Sequence, residues 1–264
     1  MKDQRKERRL QRIFAKDGRT VIMACDHAGF MGPVKGLESP GKLIETVKEA
    51  GVDAILTTKG IARAFSSQLD NLGLILRGDG GASIRSPVMG NLTIICSVEE
   101  AVSLGADAII CMGMIGFPEE PSSLHNLAEL TTGGLRWGML VMAEMLVKPK
   151  EGESVTPQDV GFAMRIGVEL GADLIKASFA RPVDDYRTAL QACYRPVVVL
   201  GGEKAKDEKE VLQGIAEALR AGASGVAVGR NIWQHPQPAD MCRALVALVH
   251  GGASVDEAMK EIKK

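Results

Sequence analysis

The chain has 264 residues, 45% hydrophobic and 25% charged, with a formal net charge of −1, a profile that supports a substantial globular core. Near-neutral charge argues against nucleic acid or bulk membrane surfaces as partners, and no apolar stretch approaches the ~18 residues of a membrane span. The amino-terminal segment carries charge without the apolar centre of a signal peptide, so the expected location is cytoplasmic.

The first predicted element is a basic helix within residues 1–18. Its Lys2-to-Arg12 run is interrupted by Asp3 and Glu7 and is expected to lie solvated on the surface. Beyond it, short apolar runs predict eight strands, at residues 20–26, 53–58, 74–77, 108–112, 139–145, 174–177, 196–201 and 225–229. Helical patterns follow most of them, for example over 40–50, 157–170, 208–221 and 238–250. Residues 92–96, ahead of a helix over 98–104, are strand-like too and leave the count open by one.

One phrase recurs at strand entrances: Gly51-Val52-Asp53, Gly105-Ala106-Asp107, Gly171-Ala172-Asp173 and Gly222-Ala223-Ser224. Each turns on a glycine suited to a helix C-terminus and enters a short apolar strand. The copies are too irregularly spaced for a solenoid. Near-continuous apolar strands alternating with helices imply parallel strands covered on their outer face. With no linker and no second block of strands, the expected fold class is α/β, one (β/α)8 TIM barrel over residues 1–264. A doubly wound open sheet is the alternative.

Cys25, Cys96, Cys111, Cys193 and Cys242 form no CxxC pair. The first three lie in apolar runs where cysteine acts as a small core hydrophobe, so neither a disulfide framework nor a zinc site is expected. His125, His235 and His250 lack companion ligands. No metal and no cofactor are expected.

Active sites of such barrels lie at the C-terminal strand ends. Polar residues collect at those predicted ends: Asp26 and His27, Lys59, Arg77 and Asp79, Glu144, and Lys176. Lys176 is the only charge in Leu174-Ile175-Lys176-Ala177-Ser178-Phe179. If Ile175 packs outward, alternation points Leu174 and Lys176 into the barrel. A buried lysine needs a partner or a purpose; desolvation favours its neutral amine, which can attack a carbonyl to form a Schiff base. The other reading is a strand-end lysine paired with a carboxylate. Asp26 is either a cap or ion-pair partner, or a proton-transfer group beside that lysine, and His27 is open between contact and chemistry. Gly201-Gly202 and Gly229-Arg230, after the last two strands, suit a phosphate cradled by backbone N–H groups and a forked guanidinium. Tyr186 and Tyr194 fall on the predicted helix after the sixth strand, a poor place for a catalytic phenol.

Gly18-Arg19-Thr20-Val21-Ile22-Met23-Ala24-Cys25-Asp26-His27, Gly32-Pro33 and Gly36-Leu37-Glu38 resemble the opening of the archaeal-type class I fructose-bisphosphate aldolases. So do Lys59-Gly60-Ile61, Ile175-Lys176, Gly201-Gly202 and the run from Gly225 to Ile232. The same superfamily holds aminodideoxyheptulosonate synthases and the pentanedione-phosphate thiolase of autoinducer breakdown, which the Asn231-Ile232-Trp233-Gln234 ending resembles most. The resemblance implies a (β/α) barrel, Lys176 as the Schiff-base residue, Asp26 as its carboxylate, and Gly201, Gly202, Gly229 and Arg230 as phosphate ligands. It also implies a homo-oligomer, a pentamer or decamer. One departure stands out: the family's proton-transferring tyrosine on strand five is matched here by Leu146. Glu144, on the same side of that strand by period two, is the substitute acid or base. Lys148 and Lys150 are either solvated loop residues or added charge near the mouth.

The expected function is therefore a class I aldolase-type enzyme that forms or cleaves a carbon–carbon bond in a phosphorylated ketose or related carbonyl compound. Lys176, Asp26 and Glu144 are its expected catalytic residues; Gly201, Gly202, Gly229, Arg230, His27 and Lys59 are expected to bind substrate. The alternatives are thiolase-like acyl transfer from a phosphorylated diketone to coenzyme A, a phosphate-binding isomerase or synthase without covalent catalysis, and a catalytically inert binding barrel.

Overall fold

A computed structural model of the chain describes residues 3–86, 92–205 and 207–262. In chain order the strands are β1 (Thr20–Ala24), β2 (Ala54–Thr57), β3 (Gly73–Arg77), β4 (Asp79–Gly80) and β5 (Thr93–Ile94). They continue with β6 (Ala108–Ile115), β7 (Leu140–Val147), β8 (Leu174–Ala177), β9 (Val197–Leu200) and β10 (Gly225–Val228). The helices that position the site are α1 (Gln4–Ile13), α2 (Ala28–Met31), α3 (Pro40–Glu49), α4 (Lys59–Ala64) and α5 (Val98–Ser103). After them come α6 (Glu120–Trp137), α7 (Pro157–Glu169), α8 (Val183–Gln191), α9 (Glu208–Ala221), α10 (Arg230–Trp233), α11 (Pro238–Val249) and α12 (Val255–Ala258).

All strands but β4 and β5 close into one parallel barrel, in the order β1-β10-β9-β8-β7-β6-β3-β2. The strand-like stretch at 92–96 supplies β5, which pairs antiparallel with β4 outside the barrel, so the open count resolves at eight. The strands read as continuous apolar runs because both faces are covered. Residues such as Val21, Ile55, Ile109, Val141 and Ile175 pack outward in the core shared with the helices. Ile22, Leu56, Ile75, Ile110, Met142, Leu174 and Val198 fill the interior, in layers drawn from alternating positions.

The recurring entrance phrase has a physical role. Asp53 Oδ2 accepts from the Val21 backbone N–H at 2.7 Å, Asp107 Oδ2 from Leu74 N–H at 3.0 Å, and Asp173 Oδ2 from Val141 N–H at 3.0 Å. Each carboxylate thus satisfies a donor near the start of a neighbouring strand, where the ladder has not yet begun. Two of them also hold the amino-terminal helix: Lys6 lies 2.6 Å from Asp173, and Arg12 3.0 Å from Asp107. Arg9 donates to the carbonyls of Gly138, at 3.0 Å, and Ala106.

The basic run forms a helix over Gln4–Ile13 whose one buried residue is Ile13, so it lies on the surface as its charge suggested, while Lys6, Arg9 and Arg12 bind the lower rim of the barrel. Ile13 is fully buried against the inner layer, with Leu10 and Phe14 packed beside it. All five cysteines are buried and free. No described helix is long and apolar enough to cross a membrane.

Candidate active site

Lys176 occupies the third position of β8, where alternation turns Ile175 outward toward Gly167 of α7 and Leu174 inward. The lysine follows Leu174 into the barrel and is 4% exposed. On β7 the register partner of Lys176 is Glu144, and the lysine Nζ lies 2.5 Å from Glu144 Oε1. Arg77 closes β3 at a position that parity also turns inward, since Leu74 and Leu76 face the helices and Ile75 the interior. Its Nε donates to Asp26 Oδ2 at 2.8 Å, its Nη1 to Asp79 Oδ1 at 3.2 Å, and its Nη2 to Glu144 Oε2. Five charged groups from opposite parts of the chain thereby interlock.

The charges set one another. Burial pushes the Glu144 carboxyl up, but the Lys176 ammonium and the Arg77 guanidinium outweigh it and hold the group well below the usual carboxylate range. The same contest leaves Asp26 lowered, with Arg77 the main opponent of burial. At Asp79 burial prevails over Arg77, and the carboxyl is raised. Arg77 itself is held more firmly charged: burial opposes that, and Glu144, Asp26 and Asp79 together overcome it. Two ionised carboxylates, one guanidinium and the lysine thus share a nearly dry volume, where a proton moved between neighbours changes the local balance strongly.

A cavity of about 320 Å³ opens onto this cluster. Its lining joins Lys176, Glu144 and Leu146 to His27, Ser178, Gly201, Gly202, Gly229 and Arg230. Larger hollows, of about 590 and 890 Å³, sit among α9, α11 and α12 on the flank, away from the charged strand ends, so volume alone does not mark the site. Backbone demands explain the glycines. A Cβ on Gly229 would stand 2.9 Å from the Ala24 carbonyl and 3.1 Å from His27 Cε1, and one on Gly201 2.8 Å from Val228 Cγ1. Gly202 has φ +69°, a conformation glycine adopts without strain. The N–H groups of Gly202, Gly229 and Arg230 donate to no acceptor among the described residues, and Arg230 Nε is buried without one.

The profile of the DeoC/LacD family aldolases matches residues 20–235, from the start of β1 to just past α10. The chain belongs to the DeoC/LacD aldolase family. It is 35% identical over 256 residues to the 2-amino-3,7-dideoxy-D-threo-hept-6-ulosonate synthase 1 of Archaeoglobus fulgidus, covering 97% of this chain and 95% of that one. It is 34% identical over 253 residues to the 3-hydroxy-5-phosphonooxypentane-2,4-dione thiolase of Escherichia coli, covering 95% and 84%. Among solved structures, an archaeal fructose 1,6-bisphosphate aldolase superposes with a TM-score of 0.84 at 30% identity, over 94% of this chain and all of that one (100%). Another archaeal aldolase, with its catalytic lysine covalently bound to the carbinolamine intermediate, superposes at 0.83 and 30%, over 92% and 99%. As a DeoC/LacD aldolase the protein is an aldolase-type enzyme of the class I, Schiff-base kind, acting on carbon–carbon bonds.

Within this DeoC/LacD aldolase the expected site residues fall into three groups. Lys176, Glu144, His27, Gly201, Gly202, Gly229 and Arg230 converge on the cavity. Asp26 joins through Arg77, and its Oδ1 is buried without a hydrogen bond 3.3 Å from the equally unpaired His27 Nδ1. Lys59 is not brought to the cavity: it opens α4, and its ammonium reaches outward to Glu100 at 3.0 Å. Gly201 takes part without its N–H, which donates to Ala227 O at 3.0 Å.

Arg77 and Asp79 stood out in the sequence only as polar strand ends, and Arg77 proves to be the hub. Its inward parity in β3 was the available signal. Leu146 does line the cavity, and neither of the chain's two tyrosines does. Tyr186 is fully buried between α8 and its neighbours. Tyr194 lies beyond the end of α8, not on it, and donates to Val168 O at 3.3 Å. Lys148 and Lys150 are exposed past β7. Among the described residues no group of three or more His, Cys, Asp or Glu side chains is arranged to hold a metal ion.

Proposed function

We propose that Lys176 is the Schiff-base residue and that the substrate is a phosphorylated ketose or related carbonyl compound. The observation that carries this reading is Lys176 itself, 4% exposed inside the barrel, 2.5 Å from Glu144, and opening onto a cavity whose other lining includes unpaired N–H donors. The Lys176 amine is held against the Glu144 carboxylate. Moving its proton to Glu144 turns a charged pair into a neutral one, a change that desolvation by an entering substrate favours. The free amine adds to the substrate carbonyl to give a carbinolamine, and Glu144 returns the proton as the hydroxyl leaves as water. The resulting iminium draws electrons from the adjacent carbon–carbon bond, which breaks or, in reverse, forms. In this reading Asp26, held by Arg77 beside the cavity, takes or gives the proton on the hydroxyl of the departing fragment. Gly202, Gly229 and Arg230 hold the phosphate, and that binding orients the carbonyl toward Lys176.

Borohydride trapping with a panel of phosphorylated ketoses and diketones, followed by peptide mapping, tests the assignment. A reduced adduct on Lys176, absent in Lys176→Arg, is the expected result. Arginine keeps the charge and cannot form the imine. Ligand binding without any adduct in the wild type would count against covalent catalysis.

A second reading is supported by Leu146, which leaves the cavity without a phenol. Thiolase-like acyl transfer from a phosphorylated diketone to coenzyme A needs no proton from that position. Coenzyme A-dependent consumption of such a diketone, measured beside retro-aldol cleavage, separates the two.

A further inference from the structure

Asn231 follows Arg230 on the first turn of α10 yet points away from solvent, 1% exposed. Its side chain reaches back to the segment after β9. The Nδ2 amide donates to Gly201 O and to Glu203 O, both at 2.8 Å, and Oδ1 accepts from Ala205 N–H at 3.0 Å. Both faces of the amide are thus engaged by one stretch of irregular backbone. That stretch has no ladder of its own past Gly201, whose N–H makes the last strand-like bond, to Ala227 O at 3.0 Å. An asparagine suits this place because one planar group supplies two donors and one acceptor, which matches the two carbonyls and one N–H presented.

We infer that Asn231 is the positioning residue that fixes the two halves of the phosphate cradle relative to each other. The inference rests on the phosphate-binding reading of Gly202, Gly229 and Arg230. One half of the cradle, Gly202, belongs to the segment after β9; the other, Gly229 and Arg230, belongs to the segment after β10. Gly202, at φ +69°, meets no neighbour within 4 Å of where its Cβ would be, so packing does not hold it. The Asn231 amide does, by tying the residues on either side of Gly202 to the residue after Arg230. Anion binding by backbone donors needs those donors already converged, since ordering them on binding would cost affinity. Asn231 does not itself line the cavity, and the lining residues it touches, Gly201 and Glu203, lie at the phosphate end away from Lys176, so its effect falls on that end.

The test compares wild type with Asn231→Ala and the near-isosteric Asn231→Asp, which loses both donors. Two probes are used: inorganic phosphate, whose affinity is read by calorimetry, and dihydroxyacetone, a ketone without phosphate, whose trapping on Lys176 is read by mass spectrometry. The expected result is phosphate binding weakened about ten- to a hundredfold in both variants, with dihydroxyacetone trapping unchanged. Equal losses on both probes, unchanged phosphate affinity, or failure of both variants to fold would overturn the inference and make Asn231 a general structural residue. If the wild type itself binds no phosphate, the phosphate reading of the cavity fails first and this inference falls with it, a result told apart by the wild-type measurement alone.

Discussion

Glu144 and Lys176 are register partners on neighbouring strands, 2.5 Å apart, and the second oxygen of Glu144 is held by Arg77. The carboxylate therefore bridges the Arg77 guanidinium and the Lys176 side chain. In the proposed Schiff-base reaction that contact makes Glu144 the proton relay for the lysine.

Replacing Glu144 with glutamine keeps the shape and removes the titrating proton. The expected outcome is a kcat lowered by about 10²–10⁴-fold, the range of a positioned acid or base, in a protein whose circular dichroism is unchanged. Steady-state kinetics checks it, and a kcat near wild type would remove Glu144 from the chemistry.

Leu146 lies two residues on from Glu144 and lines the same cavity. Leu146→Tyr places a phenol there and is expected to raise retro-aldol cleavage of a phosphorylated ketose by about tenfold or more, without raising any coenzyme A-dependent activity. Rates measured on both reactions decide. A variant that folds and binds yet shows no gain would mean that the missing phenol is not what limits cleavage.

Arg77→Met leaves Asp26, Asp79 and Glu144 buried without their shared cation. Uncompensated buried charge typically costs about 3–5 kcal/mol, a loss readable by urea denaturation at neutral pH. The pH dependence has a definite sign. Glu144 and Asp26 are held below their ordinary values of 4.5 and 3.8, so they contribute stability present above those values and lost as pH falls below them. Without Arg77 the folded-state values rise, so the destabilisation of Arg77→Met is largest at neutral pH and narrows as pH falls below those ordinary values. A stability difference from wild type that is the same at neutral and acid pH would contradict the assignment.

His250, at the end of α11, lies between Asp17 (Nδ1–Oδ2 2.8 Å) and Asp53 (Nε2–Oδ2 3.0 Å). Burial lowers its pKa, but the two carboxylates prevail and raise it above its ordinary 6.5. A raised histidine contributes stability that is complete below 6.5 and disappears as pH rises through the folded value. Thermal unfolding scanned from acid to alkaline pH is expected to show the wild type losing a small increment across that window, and His250→Gln losing none. Parallel curves for the two proteins would refute it.

Much of the barrel was legible in the sequence because three of the four entrance phrases end in a residue with a definite backbone task, Asp53, Asp107 and Asp173. Lys176 was legible for a related reason: a lone charge at an inward position of an apolar strand has few places to go. Strand lengths were less so. β6 runs to Ile115, past the predicted end at 112, because Gly113 continues the strand: a Cβ there would stand 2.6 Å from the Met145 side chain. Arg77 shows in the sequence only as a polar end, because a charged strand terminus looks the same whether it meets solvent or a partner 67 residues away. Closure of the ring decides between these, and no local pattern encodes it. Lys59 misled by the same ambiguity, since its strand end turns at once into an exposed helix start.

The amino-terminal helix covers the floor of the barrel. With Ile13 seated there, and Lys6, Arg9 and Arg12 fastened to the lower rim, the described residues close that end, while the cavity at Lys176 opens at the other. In the proposed Schiff-base reaction, substrate, departing fragment and hydrolytic water use that opening in turn. A bound substrate is its own stopper, and a reactive iminium on the lysine would be sheltered for as long as the molecule that made it remains in place.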